Sequence, residues 1–259
     1  MSAELKATRY DSTLILTLSN PGKRNALHPD IAAAAIETLS TAERDDTLRV
    51  VVLTGADQYF CAGGDLNRLI ENRAQPKSVQ AASIDHLHGW IDALRDYPKP
   101  IIAAVEGGAA GAGFSLALAC DLIVSSVAAK FTMSYINVGL TPDGGGSWFL
   151  TQALPRALVT ELLIGGKAIG AERLHQLGVI NRLAAAGSAL DTALQWAEEL
   201  AKQSPHAIEN IKALLRDAPG STLNAHMQSE KHSFVECLHH RDAHEGINAF
   251  LEKRSPNYR

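Results

Sequence analysis

Lys99-Pro100-Ile101-Ile102-Ala103-Ala104-Val105-Glu106-Gly107-Gly108-Ala109-Ala110-Gly111-Ala112-Gly113-Phe114-Ser115-Leu116-Ala117-Leu118-Ala119-Cys120 reads in three steps. An apolar run without polar alternation, residues 101–105, has the pattern of a strand buried on both faces. A glycine-rich turn follows, and residues 114–120 then read as an apolar helix. The same three steps occur upstream. Residues 49–54 form a β-branched run ending at Gly55, Phe60-Cys61-Ala62-Gly63-Gly64-Asp65 is the turn, and residues 66–70 are helical in character. Repetition of strand, turn and helix implies an α/β fold whose sites form where strands end and helices begin.

Each of these turns presents uncapped N–H groups at a helix start, where the positive end of the helix dipole favours an anionic oxygen. Gly64 and Ala112 are the expected donors. Two such groups on one oxygen make an oxyanion hole, in which a single donor contributes about 3 kcal/mol to acyl chemistry. A third glycine run, Gly139-Leu140-Thr141-Pro142-Asp143-Gly144-Gly145-Gly146, sets one carboxylate before three residues without side chains. Asp143 is therefore the expected acid/base beside that oxygen.

Bulk properties exclude several classes. The 259 residues are 46% apolar and 20% charged, with a formal net charge of −4. That composition fits one large domain, or a domain with an appendage. No broad basic field exists, so nucleic acid is not an expected partner. Cys61, Cys120 and Cys237 form no CxxC pair, so neither a metal site nor a disulfide framework is expected, and a reducing cytosol fits. Residues 1–10 lack a signal-peptide pattern. The apolar runs are too short to span a membrane, and Pro256-Asn257-Tyr258-Arg259 is not a peroxisomal address. A cytoplasmic protein is the expectation.

Around the decisive stretch, residues 13–18 read as a strand closed by Asn20-Pro21-Gly22. Residues 29–44 read as a helix with an alanine face, and 77–95 as a helix halted by Tyr97-Pro98-Lys99-Pro100. Residues 122–124 and 130–132 are short strands. From Leu154 onward the pattern is helical, with Ser204-Pro205 as a cap and first-turn proline and further helices over 222–238 and 241–252. A boundary near 190–200 is expected to separate an α/β core, residues 1–195, from a helical region, residues 196–259, that packs on the core or on another subunit.

Other motifs carry less. Gly111-Ala112-Gly113 begins like a dinucleotide fingerprint, but Leu116 holds the third glycine position. Ser115 lacks the second glycine of a nucleophile elbow, which leaves a pocket-lining or capping role. His86 and His88 lie two apart and face different directions on a helix. His239, His240 and His244 sit in a polar region without metal-ligand spacing. Lys23-Arg24 and Lys253-Arg254 are either solvated pairs or clamps for a ligand's phosphates. Leu69, Ile70, Tyr135 and Trp148 are either core or the lining of a pocket for an apolar or aromatic tail.

In their order, these motifs resemble the crotonase (enoyl-CoA hydratase/isomerase) family over nearly the whole chain. The carriers are Asn20-Pro21-Gly22-Lys23-Arg24-Asn25-Ala26-Leu27, Phe60-Cys61-Ala62-Gly63-Gly64-Asp65-Leu66, the run from Lys99 to Gly107, Ala119-Cys120-Asp121-Leu122, Val138-Gly139-Leu140-Thr141-Pro142-Asp143, and Glu245-Gly246-Ile247-Asn248-Ala249-Phe250-Leu251-Glu252-Lys253-Arg254. The resemblance implies a crotonase-like spiral of repeated ββα units with a C-terminal helical region that mediates homotrimers, often paired as hexamers. It implies an acyl-CoA thioester as substrate, with coenzyme A entering as part of it and no tightly bound cofactor. The thioester oxygen would rest between the N–H groups of Gly64 and Ala112. Lys23, Arg24, Ala26, Ala62, Asp65 and Leu66 would hold coenzyme A, with Phe250 and Lys253 of an adjoining subunit.

Two departures from the family pattern bear on the reaction. Family hydratases hold water with two glutamates, and those positions correspond here to Ser115 and Tyr135. Asp143 matches the carboxylate that family isomerases use to move a double bond, including those acting on ring-bearing acyl-CoAs. Dehalogenase relatives place an aspartate at the same position but pair it with tryptophan where this chain has Tyr135. The expected reaction is therefore a double-bond shift with Asp143 as acid/base, and Ser115, Tyr135 and Trp148 would line the pocket. The alternatives are water chemistry (hydration, ring opening or thioester hydrolysis) with Asp143 activating water, and acyl-CoA binding without reaction.

Overall fold

A computed structural model describes residues 3–258. Residues 1, 2 and 259, at the outer ends of the two expected segments, lie outside the described residues, as does the last residue of the ending read against a peroxisomal address.

The chain opens with a hairpin. β1 (Glu4–Tyr10) pairs antiparallel with β2 (Thr13–Ser19) across a two-residue turn in which Asp11 adopts φ 49°, the positive φ that a tight hairpin favours. α1 (Pro29–Glu43) starts on a capping bond from the Asp30 N–H to His28 and has proline in its first turn. β3 (Val50–Gly55), α2 (Leu66–Arg73), α3 (Lys77–Asp96), β4 (Ile101–Val105), β5 (Gly108–Ala110) and α4 (Ala112–Ala119) follow. Next come β6 (Leu122–Ser126), β7 (Lys130–Thr132), α5 (Gly146–Ala153), α6 (Arg156–Gly165), β8 (Ile169–Gly170), α7 (Ala171–Gln176), β9 (Arg182–Ala184) and α8 (Ala189–Leu200). The chain ends with α9 (Pro205–Asp217), α10 (Leu223–His239) and α11 (Arg241–Leu251).

The large sheet has the order β1-β2-β3-β4-β6-β9, parallel from β2 onward. A small sheet, β5-β7-β8, takes strands from the same strand-turn-helix units. This is the spiral expected for the family. Both faces of the large sheet are covered, and that explains the unbroken apolar runs. Alternate residues Val51, Leu53, Ile101 and Ala103 enter the main core beside α1 and α3. Val50, Val52, Ile102, Ala104 and Val124 face Ala193 and Ala197 of α8. That helix crosses the 195/196 junction and lies along the sheet as one piece.

Two strands correct the helical reading from Leu154 onward. β8 and β9 lie in that region, and β9 is the last strand of the large sheet, paired to β6 with Ser125 opposite Leu183. Two or three residues are too few to show a period, so the pairing alone defines them. Residues 108–110, read as part of a turn, are likewise strand β5.

The C-terminal helices dock through polar contacts. Lys212 Nζ donates to Asp121 Oδ2 at 2.5 Å and to the Lys99 carbonyl at 2.9 Å. Burial raises the Asp121 carboxyl above its ordinary range, and the Lys212 ammonium opposes that rise. The Arg49 guanidinium donates to the carbonyls of Gln203 and Tyr258. Leu215, Leu223, Phe234, Phe250 and Leu251 are each at least 69% exposed.

The tail folds back over α11. Arg254 grips Glu245 through both terminal nitrogens, at 2.6 and 2.9 Å, and the Asn257 N–H donates to the same carboxylate at 2.8 Å. The Arg254 hydrogen bonds, and after them the Asn257 N–H, lower the Glu245 carboxyl from 4.5 to about 2. A lowered folded-state value means that the contribution is present above 4.5 and lost as the pH falls towards 2. Protection of the Asn257 amide, taken as its exchange rate relative to the intrinsic rate at the same pH, is expected to fall across that window in the wild type. It should already be lost at neutral pH in Glu245→Gln; equal protection in both proteins would refute the clasp.

Candidate active site

The two glycine turns meet. The Cys61 N–H donates to the Gly108 carbonyl at 3.2 Å, and the Ala110 N–H returns to the Cys61 carbonyl at 2.9 Å. Cys61 thereby ties the turn after β3 to β5. Gly113 in the first turn of α4 makes this possible, since a β-carbon there would stand 2.5 Å from the Cys61 carbonyl oxygen. Gly63 lies at φ 87°, and a β-carbon on it would come within 2.5 Å of the Ala110 oxygen and 3.2 Å of the Ala112 nitrogen. The Gly63-Gly64 turn and the start of α4 are therefore in direct contact.

Among the described residues, no acceptor is found for the N–H of Gly64 or of Ala112. Ala112 opens α4, where a helix has no internal partner for that group. Gly64 is exposed, and the nearest atom to a β-carbon placed on it would be Leu69 Cδ1 at 3.9 Å. Two unpaired donors on touching turns, one open to solvent, can accept a partly negative oxygen. The Cys61 thiol beside them is fully buried and pushed up to about 12 by that burial, so it offers no nucleophile.

Asp143 comes from a third segment, the loop before α5. Its carbonyl accepts from Ser115 Oγ of α4 at 3.0 Å and from the Gly146 N–H at 3.2 Å, which fastens the loop before α5. Its carboxylate Oδ1 accepts from Tyr135 Oη at 2.6 Å. Tyr135 lies in the 3-10 turn Ser134–Val138, and its ring runs beside Gly111, where a β-carbon would be 3.5 Å from Cζ. One phenol ring therefore separates the Asp143 carboxylate from the residue before Ala112. Burial first, and then the Asp143 charge, hold the Tyr135 phenol well above its ordinary range, so it remains the donor of this bond.

The residues expected to hold coenzyme A divide into two groups. Lys23, Arg24, Ala26, Ala62, Asp65 and Leu66 gather in one place, where the loop over 20–27 is stitched to the first glycine turn. The Ala62 N–H donates to the Arg24 carbonyl at 3.0 Å, the Leu27 N–H to the Gly63 carbonyl at 2.7 Å, and Lys23 Nζ to Asp65 Oδ2 at 2.5 Å. Asp65 also caps α2. Phe250 stands near the end of α11 with its side chain 84% exposed, and Lys253 follows the helix at φ 56°.

Ser115 is fully buried, and its hydroxyl holds the Asp143 loop. Trp148 meets Phe149 edge-on at 5.3 Å with the Arg95 guanidinium 5.0 Å above its ring. Leu69 borders Gly64, whereas Ile70 is 69% exposed. His86 and His88 are exposed. Among the described residues, no three His, Cys, Asp or Glu side chains come together as a metal site, and no helix is long and apolar enough to cross a membrane.

Two features were not legible beforehand. The Asn25 side chain accepts from the Asn20 N–H and donates to the carbonyls of Ala56 and Tyr59, bracing the 20–27 loop against the strand-end turn. Its partners are 31 and 34 residues away, and nothing local marks them. The bond between Tyr135 and Asp143 is the second, since the spacing of eight residues belongs to no regular element.

Comparison with known proteins agrees with this architecture. A family model described as enoyl-CoA hydratase/isomerase matches residues 8–259. The chain is 34% identical over 257 residues to the 2,3-dehydroadipyl-CoA hydratase of Escherichia coli K12, covering 99% of each chain. It is 36% identical over 246 residues to the 1,2-epoxyphenylacetyl-CoA isomerase of the same organism, covering 95% of this chain and 94% of that one. A crystal structure of an enoyl-CoA hydratase from Polaromonas sp. JS666 superposes with a TM-score of 0.98 at 55% identity, over 99% of this chain and all of that one. The chain belongs to the enoyl-CoA hydratase/isomerase family, the crotonases, whose enzymes act on coenzyme A thioesters.

Proposed function

We propose that this enzyme shifts a double bond in an enoyl-CoA thioester, ring-bearing acyl groups included, with Asp143 as the acid/base. The thioester oxygen lies between the N–H groups of Gly64 and Ala112. Asp143 takes a proton from C2 as the bonding electrons become the π bond of an enolate. The C3–C4 double bond conjugates with it, and return of the proton at C4 leaves the double bond at C2–C3. Nothing is oxidised and no water is consumed. Each oxyanion donor contributes about 3 kcal/mol to holding the enolate charge.

The observation that carries this reading is the partner of the Asp143 carboxylate, which is a phenol rather than a second carboxylate. Water addition needs groups that orient and deprotonate water, and the family resemblance sets Ser115 and Tyr135, neither of them a carboxylate, at the two positions where family hydratases carry glutamates. The hydratase names of two relatives favour a second reading, addition of water to the double bond. Turnover of 3-enoyl-CoA esters in water enriched in heavy oxygen separates the two. We expect a conjugated product of unchanged mass that carries no solvent oxygen; labelled oxygen in the first product would transfer the assignment to water addition.

Lys23 and Arg24 with the backbone at Ala26, Ala62, Asp65 and Leu66 hold the coenzyme A portion, joined by Phe250 and Lys253 of a neighbouring subunit. The exposed apolar side chains of α9, α10 and α11 then form the contact surface of a homotrimer, or of a hexamer built from two. A cytoplasmic location fits the widely spaced free cysteines, two of them buried.

A further inference from the structure

We infer that Tyr135 is a positioning residue that reserves Oδ1 of Asp143, so that Oδ2 alone carries the proton between the two carbons, while its ring keeps water out of the space beside the enolate. The inference rests on the reading of Asp143 as the acid/base and concerns which of its oxygens works.

Three observations support it. First, the side-chain bond is not needed to hold the loop. Ser115 Oγ and the Gly146 N–H already fix the Asp143 carbonyl, and the Leu140 N–H closes back onto the Tyr135 carbonyl at 3.0 Å. What the 2.6 Å bond to Oδ1 adds is restraint on rotation of the carboxylate itself. Second, the donor is permanent. Burial and the neighbouring negative charge keep the phenol protonated, so the bond never reverses and Oδ1 stays occupied. Third, the ring lies against Gly111, next to the Ala112 donor, and so occupies the space between that donor's turn and the carboxylate.

A carboxylate with one oxygen capped is a one-oxygen base. Its proton leaves C2 and returns to C4 from the same atom, with little exchange against solvent. The groups facing Asp143 are Tyr135 from the 3-10 turn and Ser115 from α4, and Leu87 of α3 packs beside Gly144.

The test compares wild type, Tyr135→Phe and Tyr135→Ala on a 3-enoyl-CoA ester carrying two deuteriums at C2. One of them stays on C2 in any case, and in the wild type most product molecules are expected to carry the other at C4. Tyr135→Phe keeps the ring and removes the cap. Its kcat should fall about 10- to 100-fold, as loss of a hydrogen bond to a charged group implies, with KM within about twofold. Retention of the transferred deuterium at C4 should fall together with kcat. Tyr135→Ala should wash out more label than Tyr135→Phe, because water then enters the vacated volume.

Full kcat in Tyr135→Phe, or a fall in kcat matched by an equal change in KM, overturns the positioning role, as does a wild-type product with no deuterium at C4. Equal washout in the Phe and Ala variants overturns the exclusion of water. The label measurement on wild type stands even where a variant fails to fold. Failure of the parent reading has a different signature, namely a wild-type product that contains solvent oxygen or no shifted product at all, and it removes this inference as well.

Discussion

Asp143→Asn is expected to lower kcat by about 10²- to 10⁴-fold, the span that a positioned acid/base supplies. Asparagine has the shape of the ionised side chain and can still accept the Tyr135 hydroxyl through its amide oxygen, while the Asp143 carbonyl keeps its bonds to Ser115 and Gly146. The loop should therefore stay in place and the protein should melt normally. The residues of this chain proposed for coenzyme A gather at the 20–27 loop and the first glycine turn, and the bonds of Asp143 go to Tyr135, Ser115 and Gly146 instead, so affinity for a saturated acyl-CoA, measured by titration calorimetry, should change by no more than about threefold, less than the loss of one hydrogen bond to a charged group. Retained turnover in this variant would falsify the assignment of Asp143 as the base. A loss of ester binding equal to the loss of kcat would instead make it a ligand contact.

Gly63→Ala is expected to damage both catalysis and stability. The added methyl group would meet the Ala110 oxygen at 2.5 Å and the Ala112 nitrogen at 3.2 Å, from a residue at φ 87°. Both of those atoms are backbone, so relief requires the two glycine turns to separate. Displacing one oxyanion donor lowers kcat by about 10²- to 10³-fold. The left-handed backbone by itself costs roughly 1–2 kcal/mol, or at least about 2–4 °C of melting temperature in a protein of this size. Gly178→Ala is the control. It sits at φ 80° with nothing within 4 Å of the added carbon, away from the proposed site, and should lose stability through strain while kcat remains near wild type. Similar kinetics for the two variants would show that the close approach of Gly63 to Ala112 is unrelated to rate.

The elements that sequence reading found share one property, which is that their signal is local. β4 occupies residues 101–105 as expected, because a strand covered on both faces needs five apolar residues and no alternation. The Ser204 cap with Pro205 behind it is where the sequence places it, because the bond from the Ala207 N–H to the serine oxygen spans three residues. The two glycine turns before α2 and α4 were legible for the same reason. The small sheet, β9 and the brace around Asn25 were not, because their partners come from distant segments and each piece is too short to carry a period.

By itself the sequence determined the family, the order of the strand-turn-helix units and the one carboxylate set among glycines, since each depends on residue types within a few positions of one another. Only the tertiary structure decided that Gly63 touches Ala112, that Tyr135 holds one oxygen of Asp143 and that Ser115 anchors the loop beneath it. Those contacts arise where separate turns fold against each other. Close approach of that kind is set by packing, which no single segment encodes.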